Sequence, residues 1–270
     1  MLTSSKVWLV LVNWRNAPDT IACLEALLES GDDSITGVAV VDNGSGDGSV
    51  PSLVDWAHRH DLALTAAELP DNWADAQQCK VLRNTGISRF RLVLIAGERN
   101  LGFAGGNNLA IRYVQQFDDY SAVLCLNNDT VPNPGAVDAM ARRLSATGAG
   151  MCGATGVYGP PPQRVQALGG ARYWPWLGRA AHIGAGAGPD VPRDAAAVEA
   201  QLGYVMGAAL MISRACLEDI GLMEERYFLY YEEIDWAVRA RQRRWRLVYA
   251  PDAVIFHKEG GSIGSSTQTA

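Results

Sequence analysis

No apolar run in this 270-residue chain approaches the roughly 20 residues that a membrane-crossing helix needs, so no spanning segment is expected. The N-terminus, MLTSSKVWLVLVNW, leads straight into a strand-like run ending at Asn13 and lacks a signal-peptide pattern. Positive charge is short as well. With 23 Lys and Arg against 29 Asp and Glu the formal net charge is -6, which excludes bulk attraction to nucleic acid or to an anionic bilayer and leaves room only for a local basic patch. The five cysteines (Cys23, Cys79, Cys125, Cys152, Cys216) are odd in number and widely spaced in apolar segments. That excludes a paired disulfide framework and points to reduced core thiols in a cytoplasmic protein. There is no internal repeat, and no GxGxxG follows the first strand-like run, so a nicotinamide dinucleotide site is disfavoured.

What is present is a 48% hydrophobic chain, enough for a substantial core. VWLVLVN (7–13) suits a central strand, and a turn at 16–19 leads to a helix carrying Ile21, Leu24, Leu27 and Leu28. GVAVVDN (37–43) is a second strand, and SVPSLVDWAHRH a second helix with Pro51 in its first turn. This β-α-β-α opening implies a parallel sheet. RLVLIAG (91–97) and AVLCLN (122–127) add two strands, with GFAGGNNLAIRYVQQF running from loop to helix between them, and Asn133-Pro134 is expected to cap and start another helix. Residues 66–90 read as an irregular insertion and 158–200, rich in Gly, Pro and Trp, as long loops. Beyond 200 the pattern gives a small-residue strand, a short helix, an acid-aromatic segment, a helix, and two strands at 246–250 and 253–257.

In an open parallel sheet, ligands bind beyond the carboxyl ends of the strands. Those ends carry Asn13, Asp42-Asn43, Asn100 and Asn127-Asn128-Asp129. Asp42 is placed to accept hydrogen bonds from a ribose or base, or VDNGSGDGS is simply a turn. LNNDT offers oxygen ligands for a hard divalent cation, Mg2+ or Mn2+, or forms an Asx-turn.

YYEEIDW (230–236) crowds Glu232, Glu233 and Asp235 among aromatics. Acids framed this way are partly desolvated and repel one another, so they need a cation, a proton to handle, or both. A helix N-terminus enriched in carboxylates is the plainer reading. Asp235 has Arg239 four residues on, a pair that would orient the segment. Tyr173, Trp174, Trp176 and Tyr204 offer faces for sugar stacking or pack the loop onto the sheet, Gly207-Ala208-Ala209 leaves room for an acceptor, and RQRRWR (241–246) is a solvated helix end or a contact for phosphate or lipid headgroups.

VVDNGSGDGS, NLGFAGGNN, LNNDTVPNPG, GAALMISR, YFLYYEEIDWAVRAR and PDAVIFHKEGGSIG occur in this order between about residues 5 and 264. As an ordered set they resemble the family 2 inverting glycosyltransferases of GT-A type, in their bacterial rhamnosyltransferase-like branch. The resemblance implies an α/β GT-A fold in a single domain spanning 1–270. It would comprise a Rossmann-like nucleotide-sugar-binding half (1–130), with a mixed central sheet, and an acceptor-binding and catalytic half (131–270).

The same resemblance implies nucleotide-sugar contacts at Asn13, Asp42, Asn43, Asn100, Gly102, Asn107, Asn127 and Asn128, and metal ligands at Asp129 and His257. Asn127-Asn128-Asp129 stands where the family has its DXD motif. Glu233 stands at the position of the general base, usually Asp, with Glu232 beside it, and Trp174, Trp176, Tyr204 and Gly207 stand on the acceptor side. The donor implied is a dTDP- or UDP-sugar, with dTDP-rhamnose favoured, and the acceptor a glycan or polyprenyl-linked sugar used in cell-wall or polysaccharide assembly. That places the protein in the cytoplasm or peripherally on the inner face of the membrane, with no nucleic-acid partner. The rival readings are a nucleotidyltransferase, which would release pyrophosphate, and a non-catalytic nucleotide- or glycan-binding module.

Overall fold

The structure is a computed structural model describing residues 5–67, 75, 79–85, 89–159 and 163–258. The first half builds the expected parallel core from β1 (Val7–Asn13), α1 (Ala17–Glu29), β2 (Ile35–Asp42), α2 (Ser49–Arg59), β3 (Leu64–Ala66), β4 (Cys79–Asn84), β5 (Arg91–Gly97), α3 (Gly102–Val114) and β6 (Ala122–Leu126). β1 lies between β2 and β6, parallel to both, and β5 runs parallel to β2 on its other side. A strand so placed is covered on both faces, so its apolar run is continuous rather than alternating. Trp8 and Val10 join the core beneath α3, whereas Val7, Leu9 and Leu11 join the opposite core beneath α1 and α2.

The second half continues with β7 (Thr130–Pro132), α4 (Ala136–Thr147), β8 (Met151–Tyr158), β9 (Arg164–Leu168), β10 (Gly170–Trp174), β11 (Arg179–His182), α5 (Ala195–Glu199), β12 (Tyr204–Val205), β13 (Ala209–Ser213), α6 (Arg214–Ile220), α7 (Glu232–Gln242) and β14 (Leu247–His257). β13 pairs antiparallel with β6, which joins the halves in one mixed sheet ordered β3-β4-β5-β2-β1-β6-β13-β8-β14-β7, with β9 on β8. A second, three-stranded sheet runs β11-β10-β12. No helix among the described residues is long and apolar enough to cross a membrane. All five cysteines are free and buried.

Four sequence expectations need correcting. Residues 66–90 are not wholly irregular: β4 pairs antiparallel with β5 and carries β3 on its far side. Residues 158–200 hold β9, β10, β11 and α5 rather than loops alone, because close backbone contacts there are made at glycines, where no periodic apolar signal appears. The strands expected at 246–250 and 253–257 are one strand, β14, with a register irregularity between Tyr249 and Val254. Asn133 does not cap α4. Pairing with β14 keeps Thr130–Pro132 extended, and the helix begins after Gly135, which takes a left-handed φ of 80°.

Gly153 marks the tightest backbone approach, since a Cβ there would lie 2.0 Å from the carbonyl oxygen of Gly169. Gly153→Ala should therefore cost about 2 kcal/mol, read as a lower urea midpoint. Gly188→Ala, whose Cβ would meet nothing within 4 Å, serves as the comparison and should leave the midpoint nearly unchanged.

Candidate active site

The carboxyl ends of β1, β2 and β6 are held by side chains rather than by solvent. Asn13 donates its amide to Asp42 Oδ1 at 2.7 Å, and Ser45 donates to the same oxygen from its hydroxyl (2.6 Å) and to Oδ2 from its backbone N–H (3.1 Å). Thr20 donates to Asn13 Oδ1 at 2.8 Å and accepts from Asn128 at 2.9 Å. A carboxylate can accept about four hydrogen bonds, so Asp42 keeps capacity for one more donor. Asn43 uses both amide hydrogens, donating to Asn100 Oδ1 and to the Gly102 carbonyl, while its own oxygen accepts from Leu101 N–H. These bonds rivet the loop after β2 to the loop after β5. Asn107 is buried in α3 and donates back to the Phe103 carbonyl.

The turn between β6 and β7 alternates. Asn128 faces α1, while Asn127 and Asp129 face β14. The pairing of β14 with β7 sets His257 opposite Thr130, which brings His257 Nε2 to 3.2 Å from Asp129 Oδ1. The other ring nitrogen, Nδ1, lies 2.9 Å from Gln166 Oε1. A hydrogen bond between Nδ1 and that amide oxygen fixes the ring so that Nε2 is turned toward Asp129. Asn127 Oδ1 is buried with no protein partner. Asp129 Oδ1 and His257 Nε2, with the Asn127 amide beside the ring, are oxygen and nitrogen groups of the kind a divalent cation takes.

Glu232 and Glu233 open α7. Glu232 is buried, Glu233 partly so, and each has one side-chain oxygen with no hydrogen-bond partner. Desolvation, with the charge of Glu233 beside it, pushes the Glu232 carboxyl up to about 7, and desolvation also raises Glu233. The helix N-terminus would favour their ionised forms, but burial outweighs it. The residues leading in, Tyr230 and Tyr231, both take left-handed backbone angles (φ 69° and 72°), a costly conformation for non-glycine residues.

The two chemistries meet at Gly207-Ala208. Asn127 N–H donates to the Ala208 carbonyl at 3.0 Å, and a Cβ on Gly207 would lie 3.8 Å from the Glu233 side chain. Tyr204 belongs to this place too, for after burial the charge of Glu233 is the main cause that raises its phenol to about 12. Gly102 packs against the acid-bearing loop, whose Phe228 carbonyl accepts from Phe103 N–H. Trp174 ends β10 and Trp176 lies in the turn that follows, both exposed. Residues from Glu259 of the HKEGGSIG motif lie outside the described residues. Sequence reading missed Ser45, whose hydroxyl signal sat in plain view beside Asp42, and Gln166, which lies 91 residues from its histidine and has no local signal.

The raised Glu232 carboxyl has a consequence for stability. Its folded form holds the proton up to about pH 7, whereas the unfolded group releases it near 4.5, so this contribution to stability is full below 4.5 and is lost as pH rises to 7. Glu232→Gln should flatten that slope in urea unfolding measured from pH 4.5 to 8. An unaltered slope would show that Glu232 titrates as an ordinary surface acid.

No family model matches the chain. An N-acetylglucosaminyl-diphospho-decaprenol L-rhamnosyltransferase of Mycobacterium tuberculosis is 33% identical over 66 residues, covering 24% of this chain and 22% of that protein. Among solved structures, a mannosyltransferase from Pyrobaculum calidifontis in complex with GDP-Man and Mn2+ aligns over 95% of this chain and 58% of its own, with TM-score 0.60 and 15% identity. S. aureus TarS 1-349 aligns over 93% and 60% (TM-score 0.57, 13% identity), and GalNAc-T7 with UDP, GalNAc and Mn2+ over 95% and 44% (TM-score 0.64, 12% identity). This chain thus spans roughly half of those structures. The mixed sheet, with its polar strand ends and the acids of α7 brought to the same side, has the GT-A glycosyltransferase fold.

Proposed function

We propose that this chain is an inverting glycosyltransferase of the family 2 type, moving a sugar from a nucleoside-diphosphate sugar to an acceptor hydroxyl. One observation carries the reading: on a GT-A fold, Asn127, next in the same turn to the Asp129 that lies against His257, bonds through its backbone to Ala208, while the adjacent Gly207 lies close to Glu233. The nucleoside lies over the loops after β2 and β5, where Asp42 accepts from ribose or base and the asparagine rivets keep the backbone amides in place. Asp129 and His257, with Asn127 next to them, would hold a divalent cation, Mg2+ or Mn2+, which would supply positive charge to offset that of the nucleoside diphosphate.

Glu233 takes the proton from the acceptor hydroxyl as that oxygen attacks the anomeric carbon from the face opposite the leaving diphosphate. It is the more accessible of the two acids and the one against Gly207, where an acceptor has room. A base with a raised pKa works close to neutral pH, where it is still ionised yet basic enough to accept the proton. Desolvation raises both acids, and the charge of Glu233 adds to it at the buried Glu232, so Glu232 keeps its proton to higher pH while Glu233 is ionised. The partial similarity to a decaprenol-diphosphate rhamnosyltransferase supports dTDP-rhamnose as donor and a polyprenyl-diphosphate-linked sugar as acceptor.

Glu233→Gln should keep donor affinity and lower the single-turnover rate at saturating donor by about a hundredfold or more, while Glu232→Gln lowers it less. If Glu232→Gln is the slower enzyme, the base is the buried acid. Asp129→Ala should abolish the cation dependence of donor binding in calorimetric titrations with dTDP- and UDP-sugars plus Mn2+ or Mg2+. Donor affinity and cation dependence like those of the unmodified protein would remove Asp129 from the site, and release of pyrophosphate instead of a nucleoside diphosphate would identify a nucleotidyltransferase.

A further inference from the structure

Among the described residues the exposed large apolar side chains are not scattered. All but Val131 fall in two segments, 174–177 and 227–231, and the second leads directly into Glu232 and Glu233. The first is the turn between β10 and β11, where Trp174 is paired across the hairpin with Arg179 and a 3-10 turn (Pro175–Leu177) closes the tip. Trp176 is 99% exposed and Leu177 68%. Small-molecule sites are concave and cover most of the ligand's surface. A tryptophan with almost no neighbours offers no such wall.

Charge at this hairpin differs from that of the chain as a whole. Between Asp138 and Asp190 the sequence contains five arginines (142, 143, 164, 172 and 179) and not one acid, in a protein of formal net charge -6. Two of the five lie on the hairpin. Arg172 is two residues from Trp174 on β10, and Arg179 is directly across from Trp174 on β11, so the three share one face of the ribbon. Aromatic and aliphatic side chains at a tip, flanked by arginines, match the layering of a bilayer interface. Tryptophan favours the headgroup level, and cations favour an anionic leaflet.

We propose that the β10–β11 hairpin seats this chain on an anionic membrane surface, with Trp176 and Leu177 entering the headgroup–acyl boundary and Arg172 and Arg179 meeting lipid phosphates. The root of the hairpin gives the seat its use, which rests on the reading of a lipid-linked acceptor. Ala171 pairs with Tyr204, and Gly170 with Val205, two residues before Gly207, where an added Cβ would lie 3.8 Å from the Glu233 side chain. Trp174 lies three residues beyond Ala171, which at strand rise is roughly 10 Å. A sugar carried on a diphosphate just above the headgroups is therefore within reach of the acid pair. Trp174 and Trp176 then serve the acceptor by meeting the membrane that carries it rather than by stacking on its sugar.

The test is flotation of the purified protein with phosphatidylcholine vesicles, with and without phosphatidylglycerol, at low and high salt. The protein should float with the anionic vesicles and lose binding in salt, and the double variant Leu177→Ser/Arg179→Glu should bind at least about tenfold more weakly. Its urea midpoint and its donor affinity without vesicles should match those of the unmodified protein, since both side chains are at the exposed tip. Equal flotation of the two proteins, or no flotation of either, overturns the seat. So does a dimer in solution that the double variant abolishes without any vesicle binding, which would give the tip to a second copy. Salt-sensitive vesicle binding in a protein that binds no nucleotide sugar would instead leave the seat standing and sink the glycosyltransferase reading.

Discussion

A line of buried hydrogen bonds, from Asp42 through Asn13 and Thr20 to Asn128, fixes the ends of the three central strands relative to one another. Each member is removed from water, and a buried polar group left without a partner costs about 1–3 kcal/mol, so the line tolerates only one arrangement. The consequence extends past the line itself. Because Asn128 is drawn toward α1, the residues on either side of it, Asn127 and Asp129, are turned the other way, toward His257. The register of β14 against β7 then completes the approach, and Lys258 N–H donating to the Asp129 carbonyl holds it. A polar network that contacts no reacting group thus decides which groups face the site.

The acid pair is built against its own preferences. Two neighbouring carboxylates are held out of water behind two tyrosines in left-handed conformation. That arrangement persists because the segment is tied down on both sides. The Phe228 carbonyl accepts from Phe103 at the start of α3, and Gly102 leaves room for that carbonyl where any side chain would collide with it. On the other side Arg239 pairs with Asp235 and donates to the carbonyls of Ile220 and Leu222, and Trp236 donates to the Gly221 carbonyl. Free energy gained in these contacts sustains a pair of acids that a freely solvated helix end would relax.

The parallel opening of the fold was legible because β1, β2, β5 and β6 are long apolar runs with polar ends, a signal that depends only on neighbours in sequence. Strands set by distant pairing were not. β4 exists because β5 has an open edge, and the break expected between 250 and 253 is bridged because β8 continues alongside. At the site, the residue types at the strand ends and in YYEEIDW were readable, but their division of labour was not. Asparagines that look alike in sequence separate into rivets such as Asn43 and an open oxygen at Asn127, and only contacts far along the chain distinguish them. Gln166 orients His257 across 91 residues, and Trp176 differs from the buried Trp8 and Trp236 in what surrounds it rather than in its neighbours in sequence.

Net charge left the local question open for a related reason. A total of -6 argues against an anionic surface only if every charge acts at the point of contact. At physiological salt, charges more than about 8 Å apart across solvent scarcely influence one another. An acid within the hairpin would therefore offset Arg172 and Arg179 far more than one beyond that distance. The run from 139 to 189 has none. Acids are instead kept where they are put to use, desolvated at the start of α7, where water is scarce and each charge is felt strongly by its neighbour. Two electrostatic regimes thus coexist in the chain: a dry pair of acids whose basicity is raised first by desolvation and, at Glu232, by the neighbouring charge of Glu233, and an exposed ribbon carrying Arg172 and Arg179, whose charges are screened by salt.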